Sequence, residues 1–369
     1  MEFKKHKLGE FIDTISETST IKKQQVVLIN TSDVENGKVL NHKYTENKNL
    51  KGQFKKRFRK DDILYSEIRP KNKRFAYVDF DASDYIASTK LMVLRNKGNI
   101  DNTFLYQLLK SNKIINQLQL LAESRSGTFP QITFNELANV EIEIPNIENQ
   151  IKISKILTDI DSKIEINNQT NDNLLELIKK LYIEKIKNNN DINFEEKNLD
   201  EFCNIFTGKK NANASEENGQ YKFFTCAPEP LSINSYIYDG PAVIVAGNGA
   251  YTGRTNFYNG KFDLYQRTYG ITTNNDYIYL FYAMIYTDLQ NDIMGGTHGS
   301  AIPYIVMNDI AKFKVKYNKE LFDELSQKIK VLLLKIKSNE AQNETLEQLR
   351  DTLLPKLMNG EIDLDKMEI

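Results

Sequence analysis

Apolar residues recur at a fixed period in two long stretches of this chain. In residues 151–187, Leu or Ile returns every seventh position at Ile153, Ile160, Leu174 and Leu181; in residues 321–358 it does so at Leu325, Leu332, Leu346 and Leu353. A period of seven is the seam of a coiled coil, so each stretch predicts a long helix that needs a partner helix. The two ladders are offset by 172 residues at every rung, and both carry Asn where the next Leu is due, at Asn167 and Asn339. A polar rung in such a seam fixes register at a cost in stability, although a solvated position would explain an Asn equally well. The chain therefore reads as two similar halves, each ending in a helical arm of about 37 residues, roughly 55 Å long.

Between the arms the pattern changes from period seven to short β-branched and aromatic runs bounded by Gly, Asn, Asp and Pro. These predict strands at 26–30, 62–66, 74–78 and 90–94 in the first half, and at 221–226, 242–246, 255–258 and 268–272 in the second. Each half also predicts one helix. Residues 103–122 place Leu105, Leu108, Leu109 and Ile115 on one face, and residues 277–293 carry Tyr279, Tyr282 and Tyr286. Residues 127–138 then align with 299–311, sharing a Gly, a Pro, an Ile, an Asn and an Ala, and both lead through an alternating strand (140–144, 312–317) into the arm. The halves open alike at residues 7–12 and 198–203, and close alike at 191–194 and 361–364. The expected fold is α+β, with two β-rich modules at 1–147 and 191–318. They are followed by arms at 148–190 and 319–369 that pair as an antiparallel coiled coil with pseudo-two-fold symmetry. Such pairing would bring Asn167 and Asn339 close together.

Charge refines this picture only when it is taken by segment. The whole chain is near neutral at −1, but residues 1–145 hold 24 Lys and Arg against 18 Asp and Glu, whereas residues 191–318 hold 10 against 14. If both modules bind a polyanion, the second must do so through a local patch. The two cysteines, Cys203 and Cys226, form no metal-type pair, which fits a reduced cytoplasmic protein without structural zinc. No apolar run approaches the roughly 20 residues of a membrane span.

The densest basic stretch contains Lys55, Lys56, Arg57 and Arg59 interleaved with Phe54 and Phe58, followed by Arg69, Lys71, Lys73 and Arg74. It suits phosphate contacts and Arg–guanine pairing, and an ordinary solvated loop is its plain alternative. In the second half the corresponding candidates are Lys209, Lys210, Asn248, Tyr251, Arg254 and Arg267. Gly247, Gly249 and Gly253 imitate a dinucleotide fingerprint, but their spacing is wrong and the next segment is aromatic and Gly-broken, so no helix N-terminus is expected for a pyrophosphate. No phosphate loop, methyltransferase Asn-Pro-Pro-Tyr motif or triad around His298 occurs; the nearest carboxylate–lysine cluster, Glu195-Glu-Lys197, reads as a surface turn. No catalytic residue, metal or cofactor is assigned to this chain.

The order of parts, a β module with one helix, the turn carrying Pro130 and Ile132, a strand, then Glu148-Asn-Gln150 opening a heptad arm, all twice, resembles the DNA-specificity subunit of a type I restriction-modification system. That resemblance implies two target-recognition domains, each reading one half of an interrupted double-stranded DNA target, with the paired arms setting the spacer. It implies a non-catalytic chain that docks two modification subunits, which bind S-adenosylmethionine and methylate adenine, and restriction subunits that cleave. In the family the aligned turns lie close to DNA, which adds Arg125 and His298 as weaker candidates beside a structural role. A competing reading is a coiled-coil protein-interaction module without DNA specificity; another is an enzyme using the Gly247 loop for a cofactor.

Overall fold

The computed structural model describes residues 2–18, 21–50, 52–124, 130–289, 304–362 and 364. The chain divides into two compact units, one built from Met1–Ile164 with Asn343–Ile369 and the other from Glu165–Gln342. Each unit therefore contains a β module and parts of two long helices, Ile147–Tyr182 and Lys319–Met358. Among the described residues no helix is long and apolar enough to cross a membrane.

In the first unit, strand Lys4–Lys7 pairs antiparallel with Glu141–Ile144, the strand that feeds the first long helix. One four-stranded sheet has the order Ile12–Thr14, Leu91–Asn96, Ile63–Ser66, Phe75–Tyr77; a second has the order Tyr44–Glu46, Gln25–Ile29, Tyr85–Ser88, Phe54–Arg57. Strand Ile63–Ser66 is buried along its whole length, as a run without alternation requires. Ile63 and Tyr65 join Leu8, Phe104, Leu118 and Leu137 in a core that also takes Ile153 and Leu157 from the first long helix and Leu354 and Leu357 from the second, while Leu64 packs in a separate cluster with Val27, Ile29 and Phe58. Each such side chain, fully removed from water, contributes about 1.5–3 kcal/mol.

The second unit repeats the plan. Glu195–Asn198 pairs antiparallel with Lys314–Tyr317, and its main sheet contains the run Asn204–Thr207, Thr268–Thr272, Tyr238–Ala246, Thr255–Leu264, extended by Tyr221–Phe224 and Leu231–Ile233. Local bonds repeat too. Leu8 N–H donates to Val140 O and Leu199 N–H to Phe313 O, both at 3.0 Å, while the Glu10 and Glu201 carboxylates each accept from the backbone three residues earlier at 2.8 Å. Asn146 and Asn318, again 172 residues apart, cap the two long helices by accepting from Asn149 N–H (3.0 Å) and Leu321 N–H (3.1 Å). The core of this unit takes Ile178 and Tyr182 from the first long helix and Phe322, Leu325, Ile329 and Ile336 from the second.

Three expectations need correcting. Residues 103–122 form two helices, Asn102–Leu109 and Asn112–Glu123, because the Ser111 hydroxyl caps the second by accepting from Ile114 N–H. The aromatic helix ends at Met284 and continues as a wider π-type turn, Ile285–Leu289; the rest of its expected length lies outside the described residues. That turn carries Asp288, whose carboxylate accepts from the Tyr182 hydroxyl at 2.5 Å and from Lys187. Glu195-Glu-Lys197 is a strand and not a turn, its exposed charges pairing across the ribbon as Lys314–Glu196 at 3.2 Å.

Of the ladder positions, Ile153, Ile160, Asn167, Leu325 and Asn339 are buried, while Leu174, Leu181, Leu332, Leu346 and Leu353 are half-buried. On a second ladder, Leu157, Asn171 and Ile178 with Phe322, Ile329, Ile336, Asn343 and Leu357 are buried, while Ile164 and Arg350 are half-buried. This ladder lies three or four residues from the first, as the other half of a heptad seam must.

Candidate nucleic-acid interface

Two loops occupy the same place in the two sheets. Residues 67–74 join strand Ile63–Ser66 to Phe75–Tyr77, and residues 247–254 join Tyr238–Ala246 to Thr255–Leu264. Each is closed by the same bond: Ser66 N–H donates to Arg74 O, and Ala246 N–H to Arg254 O, both at 2.9 Å. Each is clamped at its root by the segment ahead of the last short helix, where Ile132 N–H donates to Glu67 O and Ile305 N–H to Gly247 O, again both at 2.9 Å. The parts of the two candidate clusters at 69–74 and 248–254 thus fall at one structural position used twice, while residues 55–59, 209–210 and 267 lie outside the two loops.

In the first unit the loop is strained as well as basic. Arg69 (φ 45°) and Lys73 (φ 51°) both adopt the left-handed region, flanking a single 3-10 turn whose Pro70 is buried. Such backbone costs of order 1–3 kcal/mol per residue and persists only where the surroundings over-determine it. Here they do, since Arg69 N–H donates to Pro130 O (3.0 Å) and Lys71 N–H to the Gln119 side chain (3.1 Å). Arg69, Lys71 and Lys73 are exposed; Arg74 is half-buried and donates from its guanidinium to Thr31 O at 3.0 Å.

The basic run at 54–60 sorts by strand alternation. Phe54–Arg57 is a strand, so Lys55 and Arg57 point to solvent, and Arg59 beyond it is exposed. Phe58 is 1% exposed and packs edge-on against Tyr85. Lys56 faces inward, donating to Leu91 O at 2.8 Å with its ammonium 3.9 Å from Glu67. Burial pushes its pKa down, an effect that the Glu67 charge opposes. Lys56 therefore braces the root of the loop, and its expected role in contacting phosphate is corrected on that ground.

In the second unit, Tyr251 is 47% exposed and the Arg254 guanidinium lies 5.9 Å from the centre of its ring. Asn248 accepts from the Cys226 thiol at 2.9 Å, and Arg267, exposed, offers its carbonyl to Gly247 N–H at 2.8 Å. Gly247 allows this approach, because a Cβ there would sit 2.4 Å from Arg267 O. The segment after the loop is a ten-residue strand, so no helix N-terminus is aimed at the three glycines. Lys209 is exposed, but Lys210 bonds the buried Asp263 carboxylate at 2.8 Å and also Ser235; it too is a brace. Arg125 and His298 lie outside the described residues. Cys203 is remote from this loop, bonded to Leu199 O at 3.1 Å, and burial pushes its thiol up to about 12. No group of His, Cys, Asp or Glu able to hold a metal occurs among the described residues.

The sequence reading missed Cys226, Tyr304 and Gln119. Nothing local marks them, since they meet the loops only through pairing of segments distant in the chain, such as the isolated bridge between Asn248 and Tyr304.

A family model described as the type I restriction modification DNA specificity domain matches residues 1–176 and 191–348. The chain is 44% identical over 183 residues to the type I restriction enzyme HindI specificity subunit of Haemophilus influenzae, covering 49% of this chain and 40% of that one. It is 37% identical over 172 residues to the Escherichia coli EcoDI specificity subunit, covering 44% and 37%. In these two alignments the chain spans well under half of each relative's length. A third relative, the MjaIX specificity subunit of Methanocaldococcus jannaschii, is 26% identical over 332 residues, covering 77% of this chain and 76% of its own. The crystal structure of a type I restriction-modification S subunit from M. genitalium superposes with a TM-score of 0.57 at 18% identity, over 97% of this chain and 96% of that one. With the family model matching both halves, the chain belongs to the type I restriction modification DNA specificity domain family.

Proposed function

We propose that this chain is the sequence-recognition subunit of a type I restriction-modification complex, without chemistry of its own. Each module reads one half of a bipartite double-stranded target. The supporting observation is the paired loops, 67–74 and 247–254, fixed at one position of two like sheets and presenting Arg69, Lys71 and Lys73 in one and Tyr251 and Arg254 in the other. Exposed Lys55, Arg57 and Arg59 supply phosphate contacts beside the first loop, and Lys209 and Arg267 do so in the second module. Phosphate contacts set position, while base-edge contacts from the loops set sequence.

The domains on this reading are residues 1–147 and 191–318, with arms at 148–190 and 319–369 that pair as an antiparallel coiled coil under pseudo-two-fold symmetry and set the spacer. Supporting it, Asn167 donates to Gln342 and Asn339 to Asn171, both at 2.8 Å, joining the middle of one long helix to the middle of the other. The partners are two modification subunits, which carry S-adenosylmethionine and methylate adenine, and restriction subunits.

Mapping methylated adenines tests this directly. Replacing residues 1–145 with another module changes one half of the methylated sequence and leaves the other intact. A change in both halves, or in neither, would defeat the modular reading.

A further inference from the structure

The second loop contains a side chain whose hydrogen-bonding sense is already decided by its neighbours. Asn248 occupies the place that Ile68 holds in the first module, immediately after the residue whose carbonyl accepts from the clamp. Its Oδ1 accepts from the Cys226 thiol at 2.9 Å, the shorter of the two bonds open to that single hydrogen, since Arg267 O, the other acceptor, lies 3.3 Å from the sulfur; Thr268 Oγ1 is 3.8 Å away. Cys226 lies two residues beyond strand Tyr221–Phe224, which is paired in parallel with Thr255–Leu264, so it reaches the loop from a separate segment of the chain. The backbone of Asn248 is held from the other side by the bridge to Tyr304. Oδ1 points inward to sulfur, and the Nδ2 hydrogens, which make no bond among the described residues, point away from it.

We infer that Cys226 is a positioning residue that makes Asn248 a hydrogen-bond donor toward DNA, so that the second module reads the two-acceptor edge of guanine at the base pair Asn248 meets. The inference rests on the proposed reading of this loop and sharpens it. Asn ordinarily pairs with adenine in two directions, donating to N7 and accepting from N6 through Oδ1. An Oδ1 turned inward and engaged by a thiol does not supply the second of those bonds. Guanine O6 and N7 present only acceptors and match an amide that presents only donors. The first module has Ile68 at the equivalent position, so the corresponding discrimination there falls to Arg69.

The test is methylated-adenine mapping with the full chain assembled with its modification subunit, for the wild type and for N248A, C226A, C226V and C226S. Thermal unfolding of each variant checks that it is folded. The N248A variant identifies the base pair by losing preference there. At that position C226A and C226V, which remove the donor, admit adenine about tenfold more often, the loss of roughly one good base contact. C226S keeps the wild-type preference, because a hydroxyl restores the bond; a merely structural role for Cys226 would not distinguish serine from alanine at a single base. The inference is overturned if the wild type prefers an A·T pair, in either orientation, at that position, or if N248A changes it while C226A and C226V do not. If N248A and R254A alter no position at all, the base-reading role of the loop fails and the inference with it.

Discussion

Asp161 shows how much a single side chain organises in the first unit. On the first long helix, its carboxylate accepts from Lys110 at 2.5 Å, from Gln107 at 3.1 Å and from Arg350 of the second long helix at 3.0 Å. Burial alone would push its pKa up, but Lys110 and the bonds from Gln107 and Arg350 hold it below the usual carboxylate range. A folded pKa below the unfolded one contributes stability that is present above the unfolded value, near pH 4, and is lost as pH falls through the folded value. The variant D161N therefore unfolds more easily by about 1–3 kcal/mol at neutral pH, the cost of leaving partly buried partners unsatisfied. Denaturant titrations at pH 7 and at pH 3 check this: the gap between wild type and variant narrows at the lower pH. At the loop itself, Gly247→Ala forces a Cβ to 2.4 Å from Arg267 O and 2.7 Å from the ring of Tyr269, a residue pinned by the sheet. It lowers stability by about 1–3 kcal/mol in the same assay, comparable to other overpacking changes. Residue-level roles were the least legible in sequence. Lys55 and Lys56 are identical letters side by side, and only strand alternation turns one to solvent and the other onto Leu91 O and Glu67.

At the scale of elements the sequence was far more readable, because periodicity is a property of the segment and survives local substitution. The 172-residue offset holds for the Asn146 and Asn318 caps as well as for the Leu ladder, so both long helices begin where the repeat requires. What the ladder hid was its other half. Asn171, Asn343 and Arg350 break the apolar rule along the second ladder, so this seam left no clean sequence signal. The polar band is consequently wider than Asn167 and Asn339 alone, with Asn171 and Gln342 as their partners. Buried amides of this kind fix register at the expense of stability. N339L alone strands the Asn171 carbonyl and lowers the melting temperature by several degrees, the consequence of about 1–3 kcal/mol. The double variant N171L/N339L recovers that loss or exceeds it. If N339L melts like the wild type, the amide bond has no structural weight.

For the whole molecule, the two modules share a plan but not a charge. The basic excess of residues 1–145 and the acidic excess of residues 191–318 sit on the same run of four strands and the same loop position. Fold and charge are set by different residues: the strands need alternating or continuous apolar positions, whereas the solvent-facing letters between them are unconstrained by packing. This asymmetry predicts a division of labour that binding experiments can resolve. Phosphate neutralisation makes the logarithm of affinity fall with the logarithm of salt by about 0.9 per contact. The triple variant K55A/R57A/R59A, three exposed cations on or beside one strand, therefore flattens that slope by up to about 3 while the preferred sequence is unchanged. The variants N248A and R254A act in the opposite sense, relaxing preference in one half-site with little change in slope. Duplex binding by the assembled complex from 50 to 300 mM salt, with cognate and scrambled targets, separates the two effects. Equal slopes for the wild type and the triple variant would remove the first basic strand from the DNA interface and leave the loops to account for binding alone.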